Sequence, residues 1–340
     1  APVVKPDPGC LITMSREEIR SCAFRVYYKE NTVSLEYFHA LTDGYGAITC
    51  ISTIVAEYLR LKHGVTIPVT APLLDPAHAP APEELEDSFL KYDQAKPKRL
   101  PRRTAYQLPG GKLPRDAVRA HTLQVPVRKL LDAARAHNIS ITTLISAVMA
   151  ASAMELQKHH TGNSRPVRIM VPADLRRIFP SRTLRNFVLY VLPTLEPEED
   201  ERDLSSILRS FGSQMQALLT KDNLANVMAY NVKTQKSWYF RIIPISVKLA
   251  IMRLAYRFFG ECTNSITVTN LGNIRLPEEM QPFVKDFGVI LTPRMGSPYN
   301  CSVLSYQDQL SICISRFPQD SQLEEIFCRN LDAVLTGAAQ

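Results

Sequence analysis

The stretch Tyr37-Phe38-His39-Ala40-Leu41-Thr42-Asp43-Gly44 organises the rest of the chain. The alternating run from Thr32 to Phe38 predicts a strand before it, and the apolar spacing from Gly46 to Lys62 predicts a helix after it. His39 therefore falls at the mouth of a loop, where a rigid support presents a side chain to solvent or substrate. We interpret His39 as a general base, because an imidazole with a pKa of about 6.5 accepts a proton near neutral pH.

Asp43 and Gly44 have separate predicted tasks in this stretch. Asp43 either caps the following helix or pairs with a cation that fixes the loop. Gly44 permits a close backbone approach or an unusual turn. The two residues form the only Asp-Gly pair in the sequence. The alternative interpretation is that His39 is a loop histidine whose hydrogen bonds are satisfied within the protein, and that Asp43 is an ordinary helix cap.

Length and composition predict a folded protein with a sizeable core. The 340 residues are 45% hydrophobic, which suits one large or two medium domains. The net charge of +7 is mild and suits a small anionic ligand, and no nucleic-acid-binding signature accompanies it. The seven cysteines form no C-x-x-C pair, and reduced core thiols in a cytoplasmic protein are expected. No zinc-ligand spacing occurs, so no metal site is expected.

The remaining pattern mixes strands and helices without a regular βαβ rhythm, which favours a mixed sheet with helices packed on it. Residues 1–18 are expected to be irregular because prolines and Gly9 interrupt them. Further strands are predicted at Ser21–Tyr28, Thr122–Val127, Val167–Ala173, Phe187–Leu195, Ser265–Asn270, Phe287–Thr292, Cys301–Tyr306 and Leu310–Arg316. Further helices are predicted at Pro126–His137, Ile141–Lys158, Leu204–Lys221, Ile245–Phe259 and Gln322–Leu335.

Two segments have unusual composition. Residues 65–116 contain nine prolines and a basic run, Lys96 to Arg103, which is either a solvated tether or a phosphate-binding segment. Residues 65–119 are therefore predicted to be a crossover between an N-terminal unit, 1–64, and a C-terminal unit, 120–340. The apolar pattern from Ile242 to Phe259 is too short and too charged for a membrane span.

The segment Phe38 to Gly44 resembles the H-x-x-x-D-G active-site motif of the chloramphenicol acetyltransferase-like superfamily. This superfamily includes nonribosomal peptide condensation domains, plant acyltransferases and bacterial alcohol O-acetyltransferase-like proteins, and the last branch fits best. Other segments that are similar to the family pattern are Val171–Arg176, Leu184–Phe187, Thr269–Gly272 and Asn300–Leu310. The resemblance implies an α/β or α+β fold of two mixed-sheet half-domains in two layers, with the N-terminal half-domain incomplete.

The resemblance also implies roles for the motif residues. His39 would be the base, facing a channel between the half-domains, with acyl-CoA entering from one face and the acceptor from the other. Asp43, with Gly44, would shape the loop and pair with an arginine, for which Arg176 is the candidate. No bound cofactor is implied, because acyl-CoA or a carrier-bound thioester is a co-substrate.

Residues distant from the motif are implied in substrate contacts. Thr269 or Asn270 would donate a hydrogen bond to the oxyanion of the tetrahedral intermediate. Arg176 and Asn186 are predicted, with Thr269, on the substrate-binding side. For Asn270-Leu271-Gly272 the alternative is a simple strand-to-turn signal.

Three functions follow from these observations. The first is transfer of an acyl group, with acetyl expected, to a hydroxyl or amine of a small-molecule acceptor. The second is an inactive or partner-dependent binding or assembly protein of the same fold. Only 38 residues precede His39, where the family has a further strand and helix block. Three alternatives are expected from this: the sequence is a fragment, a separate chain completes the N-terminal half-domain, or the protein is a truncated and inactive copy. The third, nucleic-acid binding through Lys96 to Arg119, is not expected.

Overall fold

The computed structural model describes ten segments of the chain, and the statements below concern these segments. They are residues 3–9, 14–93, 104–110, 118–160, 165–197, 203–238, 242–255, 262–293, 297–317 and 320–337. The predicted basic run from Lys96 to Arg103 lies outside the described residues, and so does the end of the predicted helix Ile245–Phe259.

The described strands and helices alternate irregularly along the chain, as the sequence predicts. The strands are β1 (Val3–Pro6), β2 (Phe24–Lys29), β3 (Thr32–Tyr37), β4 (Arg119–Pro126), β5 (Val167–Asp174), β6 (Val188–Val191), β7 (Thr194–Leu195), β8 (Ile266–Ile274), β9 (Tyr299–Tyr306) and β10 (Gln309–Arg316). The helices are α1 (Arg16–Ser21), α2 (Gly44–His63), α3 (Ser88–Lys91), α4 (Val127–Ala136), α5 (Ile141–His160), α6 (Leu204–Leu218), α7 (Lys221–Lys236), α8 (Ile245–Ala255) and α9 (Gln322–Leu335).

Two mixed sheets form from these strands. The N-terminal sheet has the order β1-β2-β3, with β1 parallel and β3 antiparallel to β2. The seven-stranded sheet has the order β4-β10-β9-β8-β5-β6, and β7 also pairs with β5. In its centre β8 runs parallel to both β5 and β9. The predicted class, a mixed α/β or α+β fold, is confirmed; the predicted domain boundaries stay predictions.

The first 18 residues differ from the irregular segment that the sequence predicts. The strand β1 forms beside β2 despite its terminal Pro6, because proline is tolerated where the strand lies at a sheet edge. The helix α1 begins at a capping box, in which the Ser15 hydroxyl accepts from the Glu18 N–H and the Glu18 carboxylate accepts from the Ser15 N–H. The prediction overlooked this local signal.

Alternate residues of the seven-stranded sheet face two different apolar clusters. On β9, Cys301 and Val303 belong to the main core, together with buried side chains of α5, α6, α7 and α9. Leu304 and Tyr306 face the opposite side, where they pack with α2. Helix α2 therefore packs on the face of the seven-stranded sheet opposite to the face that α5, α6, α7 and α9 cover.

A β-bulge in β8 changes which face its side chains occupy. Asn270 pairs with Val303 and Asn273 with Ser305, so β8 has one residue more than β9 over this interval. Before the bulge, Val268 faces the main core; after it, Ile274 faces the α2 cluster, although both positions are even-numbered. The bulge thus turns the end of β8 toward α2.

The predicted strand Phe287–Thr292 is wrong, because this segment lies across the face of the sheet and joins no ladder. Its carbonyls accept from side chains instead: Ser302 Oγ donates to Val289 O at 2.6 Å, and Ser315 Oγ donates to Leu291 O at 2.5 Å. Apolar periodicity alone does not separate a strand from an extended segment that packs on a sheet.

Two further differences concern helices. The predicted helix Leu204–Lys221 ends at Leu218, and Thr220 caps a second helix, α7, that was not predicted. Within the described residues no single helix is long and apolar enough to cross a membrane; α4 and most of α5 reach that length only together, with an 80° bend. The cytoplasmic location stays a prediction.

Candidate functional site

The loop that carries His39 joins the end of β3 to the start of α2. The Phe38 N–H donates to Ala23 O and the Leu41 N–H to Phe38 O, so the backbone turns immediately after the strand. The His39 side chain is exposed, and its ring centroid lies 5.9 Å from that of Tyr37. The predicted strand–loop–helix placement of His39 is therefore confirmed.

Asp43 is 1% exposed and is the N-cap of α2. Its Oδ1 accepts from the N–H groups of Tyr45 and Gly46, at 3.1 and 3.3 Å. Its Oδ2 accepts from Arg176 Nη1 at 2.8 Å and from the Phe187 N–H at 2.9 Å. Both alternatives that the sequence left open for Asp43, a helix cap and a partner of a cation, are thus realised together.

Arg176 is the arginine that the resemblance implies for Asp43. Besides Asp43, its Nη1 contacts Asp174 Oδ1 at 2.9 Å, while Nε and Nη2 donate to the carbonyls of Thr183 and Arg185. The guanidinium also lies 4.7 Å from the Tyr45 ring centroid. Four of its five N–H bonds are engaged within the protein, so a substrate contact from Arg176 would have to use the fifth.

Residues 183–187 hold the His39 loop from the other side. Thr42 Oγ1 donates to Leu184 O at 2.5 Å, and Asn186 Nδ2 donates to His39 O at 2.5 Å. With the Phe187 N–H on Asp43, these bonds fix the loop at three points, and we call residues 183–187 the clasp. Asn186 was predicted on the substrate side; the structure shows it holding the backbone of His39.

Close packing at the start of α2 requires small residues. A Cβ at Gly46 would clash with Thr42 Oγ1 and lie 2.8 Å from Leu184 O. A Cβ at Gly44 would clash with Leu271 Cδ2, which belongs to the bulge of β8. The close approach predicted for Gly44 therefore brings the motif loop against the Thr269–Gly272 segment.

Asn270 fixes the shape of the bulge. Its Oδ1 accepts from the Gly272 N–H at 2.8 Å, and its Nδ2 donates to Thr142 Oγ1, at the start of α5, at 2.8 Å. Gly272 has a φ of 79°, which favours glycine. The predicted oxyanion contact from Asn270 would need its second amide N–H, and Thr269 is half-buried next to it. The alternative interpretation of Asn270-Leu271-Gly272 as a structural signal also holds, because the segment forms the bulge of β8.

Burial and charge act on the phenol beside His39. Burial, aided by the negative charge of Asp43, raises the pKa of Tyr37 to about 12. Tyr37 is therefore a neutral aromatic wall near the imidazole at physiological pH.

Sequence reasoning missed several residues of this network. Thr42 lies within the motif and Gly46 just after it. A hydroxyl residue before the helix cap and a small residue after it were the available signals in the sequence. The Thr142 contact joins residues 128 positions apart, and no local pattern indicates it. Among the described residues, no group of three or more His, Cys, Asp or Glu could hold a metal ion. A shallow depression of about 560 Å³ lies away from these residues, on α6.

Comparisons with known proteins identify the fold. No protein-family model and no curated protein sequence matches the chain. Polyketide synthase associated protein 5 from Mycobacterium tuberculosis is similar in structure, with a TM-score of 0.57 and 16% identity over 93% of this chain and 77% of that one. The epimerization domain from the third module of tyrocidine synthetase B gives a TM-score of 0.53 and 12% identity, over 93% and 72% of the two chains.

A third similar structure is the first condensation domain of the calcium-dependent antibiotic synthetase. Its TM-score is 0.51 at 16% identity, over 93% of this chain and 68% of that one. Identities this low show the fold alone. The protein therefore has the mixed α/β fold that these three structures share, in agreement with the fold that the resemblance implies.

Proposed function

We propose that the protein is an acyltransferase that uses His39 as its general base. The observation that carries this proposal is the contrast between ring and backbone at His39. The ring is exposed, whereas the backbone is fixed by Asn186 on the carbonyl of His39 and by four donors on Asp43. A reactive side chain on a fixed backbone is what general-base catalysis requires.

The proposed reaction moves an acyl group from a thioester to a hydroxyl or an amine. As the acceptor oxygen or nitrogen attacks the thioester carbonyl carbon, the His39 imidazole accepts its proton. The tetrahedral intermediate then collapses, the carbon–sulfur bond breaks, and the imidazolium returns the proton to the leaving thiolate. The products are the ester or amide and the free thiol. Thr269, or the second N–H of Asn270, would donate to the oxyanion, a contact that typically contributes about 2.7–4 kcal/mol.

The surroundings of His39 suit such substrates. Phe38, Leu41 and Tyr45 expose 45, 47 and 42% of their surfaces around the loop, and apolar side chains of this kind would contact an acyl chain or acceptor. Arg177 stands beside the bulge, since a Cβ at Gly272 would lie 3.4 Å from its Nη2. This cation would favour an anionic substrate such as acyl-CoA or a phosphopantetheine thioester. Acetyl-CoA is the first donor to test.

The deciding experiment compares His39→Ala with His121→Ala on a panel of acyl-CoA thioesters and small alcohols and amines. We expect His39→Ala to lower turnover by about 10²–10⁴-fold with unchanged thermal unfolding, because the exposed ring contributes chemistry and little packing. His121 is also exposed and lies on β4, so His121→Ala should keep full activity. Undiminished turnover in His39→Ala would reject the mechanism.

A second candidate function is a partner-dependent assembly protein of this fold. The exposure of Phe38, Leu41 and Tyr45 around His39 favours it, because a second chain that completes a channel would cover these side chains. In that case Phe38→Asp would abolish partner binding, while His39→Ala would leave it intact. A protein that turns over thioesters alone at full rate excludes the requirement for a partner.

A further inference from the structure

The helix α8 is apolar and exposed, which is unusual in a folded protein. Lys248 is half-buried, and every other side chain described from Ile245 to Leu254 is exposed. None of them belongs to either of the two buried clusters that the described residues form. Before α8, the described residues Trp238 and Ile242 are also exposed, each at 72%.

The charge of this region has one sign. Residues 237–260 contain four basic residues and no acidic residue; the basic ones are Arg241, Lys248, Arg253 and Arg257. Among the described residues, Arg253 is exposed and Lys248 is half-buried. An exposed apolar surface in a stretch of sequence with basic and no acidic residues complements an anionic lipid surface, where acyl chains and phosphate headgroups lie within a few ångströms of each other.

The arrangement of side chains around α8 separates a lipid surface from a protein partner. At 100° per residue, Val247, Ile251 and Leu254 form one ridge, and Ile245, Leu249 and Met252 form a second ridge about 160° away. A flat protein surface would cover one ridge and leave the other in water, whereas a helix that lies in the membrane interface can bury apolar side chains on both of its flanks. Arg253 and Ser246 fall between the ridges on one side, within about 20° of each other, and would face water. The half-buried Lys248 falls between the ridges on the other side, and its long side chain would extend along the helix to reach the headgroups.

We propose that α8, with Trp238, inserts into the interface of anionic membranes and tethers the protein there. At 11 residues α8 is about 16 Å long, half the thickness of the hydrocarbon core, so it lies in the interface and does not span it. Tryptophan at the edge of the inserted segment suits the headgroup level. This proposal is independent of acyl transfer.

The test is flotation of the full chain with vesicles of phosphatidylcholine and phosphatidylglycerol, and with vesicles of phosphatidylcholine alone. We expect binding to the anionic vesicles and little binding to the neutral ones. The double variant Val247→Glu/Ile251→Glu should lower the partition coefficient more than tenfold, because it removes one ridge and adds repulsion. Arg253→Gln should lower it about fivefold, the effect of one basic residue near an anionic surface.

Matched controls lie on other helices. Leu61, on α2, is 88% exposed, and the Arg128 side chain, on α4, is 93% exposed, so Leu61→Glu and Arg128→Gln should bind as the unmodified protein does. Circular dichroism checks that each variant is folded. Absence of anionic-vesicle binding, or equal binding by the double variant, would overturn the proposal. A concentration-dependent dimer that the double variant abolishes, without vesicle binding, would assign α8 to self-association instead.

Discussion

The two sheets differ in how they are stabilised. In β9 and β10 nearly every side chain is buried, and several helices pack on them. In the N-terminal sheet, β1 has exposed residues, α1 buries none, and β2 buries only Arg25, Val26 and Tyr27. His39 follows the last strand of the three-stranded sheet. The bulge that contacts its loop lies in the seven-stranded sheet, and the clasp comes directly before β6 of that sheet. The geometry of the proposed base therefore depends on contacts between the two parts of the chain.

The largest expected effect comes from breaking the buried contact between the two parts. Asp43→Ala leaves Arg176, whose side chain is 7% exposed, without one carboxylate, so the free energy of unfolding should fall by about 3–5 kcal/mol. Asp174 contacts the same guanidinium, but its side chain is 33% exposed. It also caps the short turn Leu175–Arg177, so Asp174→Ala should cost about 1 kcal/mol. Urea unfolding of both variants tests this, and equal losses would show that burial does not set the strength of the contact.

Matched truncations compare the sheets directly. Val303 on β9 is fully buried in the main core, whereas Val26 on β2 is 7% exposed and belongs to neither buried cluster of the described residues. Val303→Ala should lower the free energy of unfolding by about 2–3 kcal/mol, through lost burial and a residual cavity. Val26→Ala should lower it by about 1 kcal/mol. Chemical denaturation measures both, and a larger loss for Val26→Ala would reverse the comparison.

A methyl group tests the close approach of the clasp. Gly46→Ala places a Cβ against Thr42 and the Leu184 carbonyl, and the resulting overpacking should cost about 1–3 kcal/mol. The matched control is Gly288→Ala, where nothing lies within 4 Å of the new Cβ. That variant should be neutral or up to about 1 kcal/mol more stable. Melting temperatures distinguish the two, and a neutral Gly46→Ala would mean that the loop can move away from the clasp.

The smallest effect on stability, with a larger one on turnover, is expected at Asn186. Asn186→Ala removes one hydrogen bond to the His39 backbone, at about 1 kcal/mol, and the displaced ring should lower kcat about tenfold to a hundredfold. Asn223 makes an equivalent amide-to-carbonyl bond, to Leu218, and Asn223→Ala should cost similar stability without lowering kcat. Unchanged kcat in Asn186→Ala would show that the clasp does not position His39.

Local signals in the sequence predict much of this fold. The strand from Thr32, the helix that Gly64 ends and the closing helix Gln322–Leu335 are confirmed, because periodicity and caps specify them within a few residues. The wrong strand Phe287–Thr292 has the correct apolar pattern, since Phe287 and Val289 do pack against the sheet. What the pattern lacks is the identity of the hydrogen-bond partners, which are side chains far along the chain.

The candidate site likewise has a part that local sequence predicts and a part that depends on distant contacts. His39, Asp43 and Gly44 are adjacent in sequence and could be predicted from the motif. Arg176 lies 133 residues from Asp43, and only the resemblance to a known family indicated it. The bond between Asn270 and Thr142 depends on where a bulge places β8 beside α5, which requires the tertiary structure itself.

The strand order has a consequence for synthesis on the ribosome. The strand that pairs with β4 is β10, some 190 residues later in the chain. The central strand β8 begins only at Ile266. Residues 119–126 therefore leave the exit tunnel long before their neighbour is translated. The His39 loop can contact the clasp once Phe187 has left the tunnel. The side chains of β9 against which α2 packs are synthesised only later. A nascent chain halted before Tyr299 would carry the motif without its final support.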